Sequence, residues 1–331
     1  MPGATLASLL LLCLLTAGCG GVSEAEGNSG SERLTLVAYS TPREAYEQLT
    51  RSFAATPHGD GVTFDESYGS SGEQSRAVEA GLPADVVAFS LAPDMDRLVD
   101  AKLVGGDWAE DEYDGMVTDS VVVLAVRKGN PKGIEGWDDL VRDDVEVVTP
   151  NPFTSGGARW NVMAAYGAQL ERGRTEEEAI GYLEELFANV SVQDKSARES
   201  LQTFLGGKGD VLIAYENEAI FAQQKGEELD YVVPAETILI ENPVAVTSEA
   251  PDAARAFVAH LRSTEAQRVL AKAGYRPVRK DVLAEFEFPT PAQLFTIADL
   301  GGWDEVSEHF FDREDGVMAG INRELGEPTD S

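Results

Sequence analysis

Residues 34–44 read LTLVAYSTPRE, an apolar run that passes directly into the pattern of a helix start. The first six of these residues predict a short buried strand, because a continuous apolar run bounded by turn residues fits the interior of a sheet. After them, Ala45, Leu49 and Phe53 recur at the spacing of one helix face. A helix is therefore predicted to begin near Pro42.

The same alternation of strand and helix continues along most of the chain. Further strands are predicted at residues 62–64, 84–89, 121–126, 145–149, 190–193, 211–215 and 243–246, and further helices at residues 72–80, 93–100, 156–172, 175–188, 216–225, 250–262 and 265–273, with another from residue 197. Strands that alternate with helices form parallel-type sheets whose faces the helices cover. The predicted fold class is therefore α/β.

Two of the predicted strands divide the chain into lobes. The strands near Val121 and Pro243 are predicted to cross between lobes, because the chain after the second of them carries only helices and a tail. The first lobe would comprise residues 33–120 together with 243–331, and the second lobe residues 121–242, while the C-terminal tail could lie on either lobe. A chain of 331 residues is long enough to bury two such cores.

The composition argues against nucleic-acid binding. The chain carries 58 Asp and Glu residues against 26 Lys and Arg residues, which gives a formal net charge of −32. Binding to a nucleic acid releases counterions only where Lys and Arg cluster, so no nucleic-acid partner is expected. The acidity instead predicts a well-solvated surface.

The N-terminus carries the pattern of a secretory signal peptide. An uncharged apolar run at residues 6–15 is too short to span a bilayer, which predicts a signal peptide over residues 1–18. The sequence LTAGC at its end resembles a bacterial lipobox, and this resemblance implies that Cys19 becomes the lipidated first residue. Residues 19–32 would then form a flexible leash on the outer face of the cell membrane. An ordinary signal peptide with an incidental cysteine is the alternative.

Four predicted helix starts share one design. They are Thr41-Pro42-Arg43-Glu44, Ser71-Gly72-Glu73-Gln74, Ser155-Gly156-Gly157 and Ser196-Ala197-Arg198-Glu199. Each places a Ser or Thr to cap the helix, and a single such cap has no functional meaning by itself. A helix start nevertheless offers free backbone N–H groups and about half a positive charge, which bind an oxyanion without Lys or Arg. Each start follows a strand end, where open α/β sheets bind their ligands, so the four could converge on one cleft.

At these positions the chain resembles the periplasmic sulfate-binding proteins. The resemblance runs in order from about Leu34 to Phe310 and rests on YSTPRE at 39–44, SYGSSG at 67–72, ADVV at 84–87, RKGNPK at 127–132, TPNP at 149–152, TSGGARWN at 154–161, GDVLIAYENE at 209–218, YRP at 275–277 and LFTI at 294–297. It implies a two-lobed periplasmic-binding-protein fold of type II, with the ligand in the cleft between the lobes. It also implies a monomeric receptor that delivers sulfate to the permease of an ABC importer.

The resemblance further implies that neutral donors alone hold the sulfate ion. They would be the backbone N–H groups of Ser40, Ser71, Gly156, Gly157 and Ala197, the hydroxyl of Ser155 and a side-chain donor at Tyr215. Glycines at 156 and 157 would let an oxygen approach the backbone closely. The chain departs from the family pattern at two positions, with Ser40 in place of Asp and Tyr215 in place of Trp. A phenol presents its O–H in a different place from an indole N–H.

Other functions fit the sequence less well. The nearest alternative is a receptor of the same fold for thiosulfate, or for molybdate or tungstate. A secreted hydrolase would need an imidazole base, but His58, His260 and His309 follow no predicted strand end. The acidic run at residues 107–114 lacks the spacing of an EF-hand loop, although weak calcium binding stays open. We therefore predict no catalytic residue, no cofactor and no metal site.

Overall fold

The computed structural model describes residues 32–329. The predicted signal peptide, Cys19 and the predicted leash up to residue 31 lie outside the described residues. Among the residues that are described, no helix combines the length and the apolar character that a membrane crossing requires.

The first part of the chain alternates strands and helices as predicted. Its elements are β1 (Arg33–Tyr39), α1 (Arg43–Ala54), β2 (Thr63–Gly69), α2 (Ser71–Glu79), β3 (Val86–Ala88) and α3 (Ala92–Asp100). Strand β1 pairs in parallel with β2 on one side and with β3 on the other. Helix α1 buries Leu49 and Phe53, as its apolar spacing predicted.

Two long antiparallel strands, β4 (Met116–Arg127) and β9 (Glu236–Val246), join the two parts of the sheet. Strand β9 pairs with β3 near its end, and β4 pairs with β7 through residues 122–126. Both strands are longer than their apolar runs predicted. The reason is that each continues through polar residues, Asp119 opposite Glu241 among them, whose backbones pair across the ladder.

The middle of the chain builds the second part of the sheet. Its elements are β5 (Val147–Pro150), α4 (Gly156–Glu171), α5 (Glu176–Ala188), β6 (Val190–Asp194), α6 (Ala197–Leu205), β7 (Val211–Tyr215), α7 (Glu216–Gln224) and β8 (Leu229–Val232). Strand β5 pairs in parallel with both β6 and β7. The order along the sheet is β2-β1-β3-β9-β4-β7-β5-β6.

The C-terminal part contains helices and two very short strands. Its elements are α8 (Asp252–Leu261), α9 (Thr264–Lys272), β10 (Arg276–Pro277), α10 (Lys280–Leu283), β11 (Gln293–Phe295), α11 (Gly302–Phe311) and α12 (Val317–Leu325). We predicted only helices here, because strands of two and three residues carry no readable alternation. Short 3-10 turns also occur at Trp137–Val141 and Ile297–Leu300.

The buried apolar side chains fall into two groups. One group combines the first part of the chain with α8 and α9, and it includes Leu36, Phe53 and Phe257. The other combines the middle of the chain with the C-terminal tail, where Phe310 joins the cluster that contains Trp160. By its packing the tail therefore lies with the second group, which is one of the two placements that the sequence leaves open. The lobe boundaries themselves stay a prediction.

Candidate functional site

A small cavity lies where several helix starts meet. Six of the seven residues that the sequence predicted as ligand donors line it, namely Ser40, Ser71, Ser155, Gly157, Ala197 and Tyr215. The cavity is small, with an empty volume of about 230 Å³. Its wall comes in part from residues before α1 and from the starts of α2, α4 and α6. The fold thus brings together the predicted helix starts that follow strand ends.

Two of the four predicted caps form as expected. Ser155 caps α4 by accepting a hydrogen bond from the N–H of Ala158 at 3.4 Å. Ser196 caps α6 in the same way, from the N–H of Glu199 at 3.2 Å. The first N–H groups of both helices have no acceptor within the helix, so they remain available to a ligand.

The two other caps were predicted wrongly. Helix α1 starts after Pro42, and the hydroxyl of Thr41 instead lies 3.0 Å from the hydroxyl of Tyr275. Helix α2 includes Ser71 as its first residue, after Ser70. In both cases the hydroxyl group forms a hydrogen bond with a side chain that is distant in sequence, and it does not cap the helix.

Ser71 is held by two such distant contacts. Its hydroxyl donates to the carboxylate of Asp94 at 2.5 Å and accepts a hydrogen bond from the backbone N–H of Ser90 at 3.0 Å. Asp94 is itself buried, and a buried carboxylate requires hydrogen-bond donors. The start of α2 is therefore fixed against α3 and against the loop that follows β3.

Donation from the backbone N–H of Gly156 stays a prediction, and the residue also has a packing role that the sequence did not predict. It does not line the cavity, and a Cβ atom there would lie 1.9 Å from the Cδ2 atom of Leu91 and 2.8 Å from the Cβ atom of Ser90. Its missing side chain thus allows α4 to pack against the loop after β3. Gly157 does line the cavity, and a Cβ atom there would lie 3.3 Å from that of Ala197.

Tyr215 closes one end of the cavity. It ends β7, is 1% exposed, and places its hydroxyl 2.6 Å from the hydroxyl of Ser90. Burial raises the pKa of the Tyr215 hydroxyl well above 10, so the phenol keeps its proton. Ser90 was not predicted as a site residue, although its position just beyond the end of β3 is a signal that could have identified it.

Charged groups surround the cavity without entering it. Arg198 donates to the carboxylates of Glu44 at 2.9 Å and Glu218 at 3.0 Å, and it also donates to the carbonyl of Thr41 at 2.7 Å. It thereby connects α6 to α1, whereas Arg159 donates to the carbonyl of Pro152 at 3.1 Å. All residues that line the cavity in the described part of the chain are neutral.

Comparison with known proteins places these features in a family. A family of bacterial extracellular solute-binding proteins matches residues 34–276. A sulfate-binding protein of Synechococcus elongatus is 42% identical over 326 residues, which cover 94% of this chain and 93% of that protein. The chain belongs to the sulfate-binding protein family. A thiosulfate-binding protein of Pseudomonas aeruginosa is 35% identical, over 90% of this chain and 94% of that protein.

The solved structures agree with this family. The structure described as the sulfate-binding protein SubI from Mycobacterium tuberculosis superimposes with a TM-score of 0.82. It is 44% identical in sequence, and the match covers 85% of this chain and all of that one. The predicted fold class, an α/β two-lobed periplasmic-binding-protein fold of type II, is thereby confirmed.

Proposed function

We propose that this protein is the solute-binding lipoprotein of an ABC importer and that it captures sulfate outside the cytoplasm. The observation that carries the proposal is the cavity at the helix starts, whose lining residues are mostly Ser, Thr and Tyr and are all neutral. Three helices, α2, α4 and α6, begin at it. Helix starts and hydroxyl groups supply hydrogen-bond donors for an oxyanion, and each helix adds the positive end of its dipole.

The donor set is the one that the family resemblance implies, extended by the neighbour of Tyr215. It comprises the backbone N–H groups of Ser40, Ser71, Gly156, Gly157 and Ala197, the hydroxyl of Ser155, and the hydroxyl pair of Ser90 and Tyr215. A sulfate ion at neutral pH carries no proton and therefore needs donors only. Hydrogen phosphate carries a proton that needs an acceptor, which disfavours it.

The net charge of −32 does not oppose anion binding in such a cavity. Charges on the solvated surface are screened beyond about 8 Å at physiological ionic strength. Hydrogen bonds inside a cavity of low dielectric constant act at short range and are screened little. The acidity therefore slows capture of the anion more than it weakens the bound state.

The relatives support sulfate as the ligand more than thiosulfate. The sulfate-binding protein of Synechococcus elongatus is 42% identical, against 35% for the thiosulfate-binding protein of Pseudomonas aeruginosa. Thiosulfate is consequently the second candidate, with molybdate or tungstate after it. The relatives carry the names of binding proteins, which supports a receptor without enzymatic activity.

The anchoring and the division into lobes belong to the same proposal. Cys19 carries the lipid, and the residues up to 32 tether a monomeric domain to the outer face of the membrane. Residues 33–120 with 243–331 and residues 121–242 form lobes that close on the ligand, and the C-terminal tail packs against the second of them. The permease of the importer then receives the anion from the closed form. Mass spectrometry of the mature chain tests the lipid, since an unmodified Cys19 contradicts it.

Calorimetric titration of the lipid-free domain, residues 32–331, tests the ligand. Sulfate, thiosulfate, molybdate and phosphate are titrated separately at pH 7. We expect sulfate to bind most tightly and phosphate least tightly, because the donor set offers phosphate no acceptor. Absence of sulfate binding, or phosphate binding at least as tight as that of sulfate, contradicts the proposed function.

A further inference from the structure

Ser196 lines the cavity at the start of α6 and is only 6% exposed. Its hydroxyl oxygen accepts a hydrogen bond from the backbone N–H of Glu199 at 3.2 Å. Because a backbone N–H can only donate, this bond occupies a lone pair of the oxygen and leaves the hydroxyl proton unassigned. Among the described residues 32–329, none accepts that proton in a hydrogen bond. A buried hydroxyl group normally has a partner for its proton, and here the cavity is the place where one can bind.

Two other serines of the cavity wall use their hydroxyl protons inside the protein. Ser70 donates to the carboxylate of Glu73 at 2.7 Å, and Ser71 donates to that of Asp94 at 2.5 Å. Neither hydroxyl group can donate to a ligand unless it gives up its carboxylate partner. Ser196 differs from both, because no carboxylate competes with a ligand for its proton.

The loops before α4 and α6 hold two capping serines next to each other. The hydroxyl of Thr154 donates to the carbonyl of Lys195 at 2.8 Å. These two residues directly precede Ser155 and Ser196, so the bond keeps the starts of α4 and α6 together. The oxygen of Ser155 also accepts a capping hydrogen bond, from the N–H of Ala158, and its hydroxyl is already a predicted donor. Ser196 therefore has the same arrangement as a residue of the predicted donor set.

The unassigned proton of Ser196 lies next to another predicted donor. Ser196 directly precedes Ala197, which also lines the cavity and whose backbone N–H belongs to the predicted donor set. We propose that the hydroxyl of Ser196 donates a hydrogen bond to the bound oxyanion. The cap fixes the hydroxyl oxygen before the ligand arrives, so donation needs only a rotation of the O–H bond. This inference rests on the proposed function and adds one donor to the set that the family resemblance implies.

Calorimetric titration of two variants with sulfate separates donation from capping. Ser196→Ala removes the hydroxyl, and we expect it to weaken sulfate binding about ten- to hundredfold, as for loss of a hydrogen bond to a buried charge. The same change also removes the cap of α6. Ser196→Gly removes the hydroxyl as well, but glycine is tolerated at a cap position far better than alanine. The glycine variant should therefore bind sulfate as weakly as the alanine variant, although thermal unfolding should show it to be the more stable of the two.

Ser263→Ala is the matched control. Ser263 caps α9 from the N–H of Ala266 at the same distance of 3.2 Å, but it does not line the cavity. Its variant should lose the cap and still bind sulfate like the unmodified protein. If Ser196→Gly or Ser196→Ala binds sulfate as tightly as the unmodified protein, the donation by Ser196 is overturned while the proposed function stands. Failure of the unmodified protein to bind sulfate instead overturns the proposed function.

Discussion

At the scale of single residues, Gly156 marks a close approach between the second part of the chain and the loop after β3. Its Cα hydrogen occupies a place where a methyl group would lie 1.9 Å from a methyl carbon of Leu91. The same methyl group would lie 2.8 Å from the Cβ atom of Ser90. Three hydrogen bonds hold the backbone of Ser90, so this residue cannot move away easily. The contact therefore constrains how closely the two lobes approach.

Gly156→Ala tests this constraint. Overpacking typically costs about 1–3 kcal/mol, and here it falls on the closed arrangement of the proposed lobes. Sulfate affinity measured by calorimetry should fall by about tenfold or more. Gly181→Ala in α5 is the control, since a Cβ atom there meets no atom within 4 Å. Sulfate affinity in Gly156→Ala equal to that of the control would show that the contact is released without loss.

At the scale of elements, the strands β4 and β9 that join the two parts of the sheet carry a pair of acids. Asp119 on β4 lies directly opposite Glu241 on β9, and Arg276 on β10 lies on its other side. Burial, with a contribution from Glu241, raises the pKa of Asp119 to about 7, although Arg276 opposes this. Arg276 is already engaged with the fully buried carboxylate of Glu216 at 2.9 Å. The joining strands therefore hold a carboxyl group that ionises near neutral pH.

The sign of the resulting pH dependence follows from linkage. The pKa of Asp119 is raised from 3.8 in the unfolded chain to about 7, so the folded protein binds more protons between these values. Its contribution to stability is present below pH 3.8 and is lost as the pH rises through 7. Asp119→Asn should thus raise the melting temperature at pH 8 and raise it less at pH 5, because only part of the window between the two pKa values lies below pH 5. Asp60→Asn, at an exposed position, is the control, and an equal effect of Asp119→Asn at both pH values contradicts the assignment.

At the scale of the whole molecule, the cavity draws its lining from both groups of elements. Ser40 and Ser71 belong to the first part of the chain, and Ser155, Ala197 and Tyr215 belong to the middle part. Arg198 adds a connection outside the cavity, from α6 to Glu44 on α1. A ligand bound there holds the two parts together, so it should favour the closed molecule over an open one.

Ligand binding should therefore stabilise the molecule and compact it. At a hundredfold excess over Kd, a ligand that binds only the folded state adds about 2.7 kcal/mol to the free energy of unfolding. Thermal unfolding with saturating sulfate should show a higher melting temperature, and small-angle scattering should show a smaller radius of gyration. Chloride at equal ionic strength controls for salt. If sulfate changes neither quantity, the two lobes do not close on the ligand.

The class of fold, most of the helices and strands, and the region of the site could be predicted from the sequence. Apolar spacing located α1 to within a few residues, because it reports which face of an element is buried. The serines at 155 and 196 also cap their helices as predicted, since a cap bonds to a neighbour three residues away. Resemblance over the length of the chain supplied the family.

The hydrogen-bond partner of each polar side chain could not be predicted from the sequence, because it depends on the tertiary fold. Thr41 and Ser71 lie in sequences typical of helix caps, yet their hydroxyl groups form hydrogen bonds with Tyr275 and Asp94. Ser90 meets Tyr215 across 125 residues of chain, and no local pattern encodes such a pair. The physical reason is that a hydroxyl has several possible partners of similar energy, and burial selects the one that leaves no polar group unsatisfied. That selection depends on which strand ends the fold brings side by side.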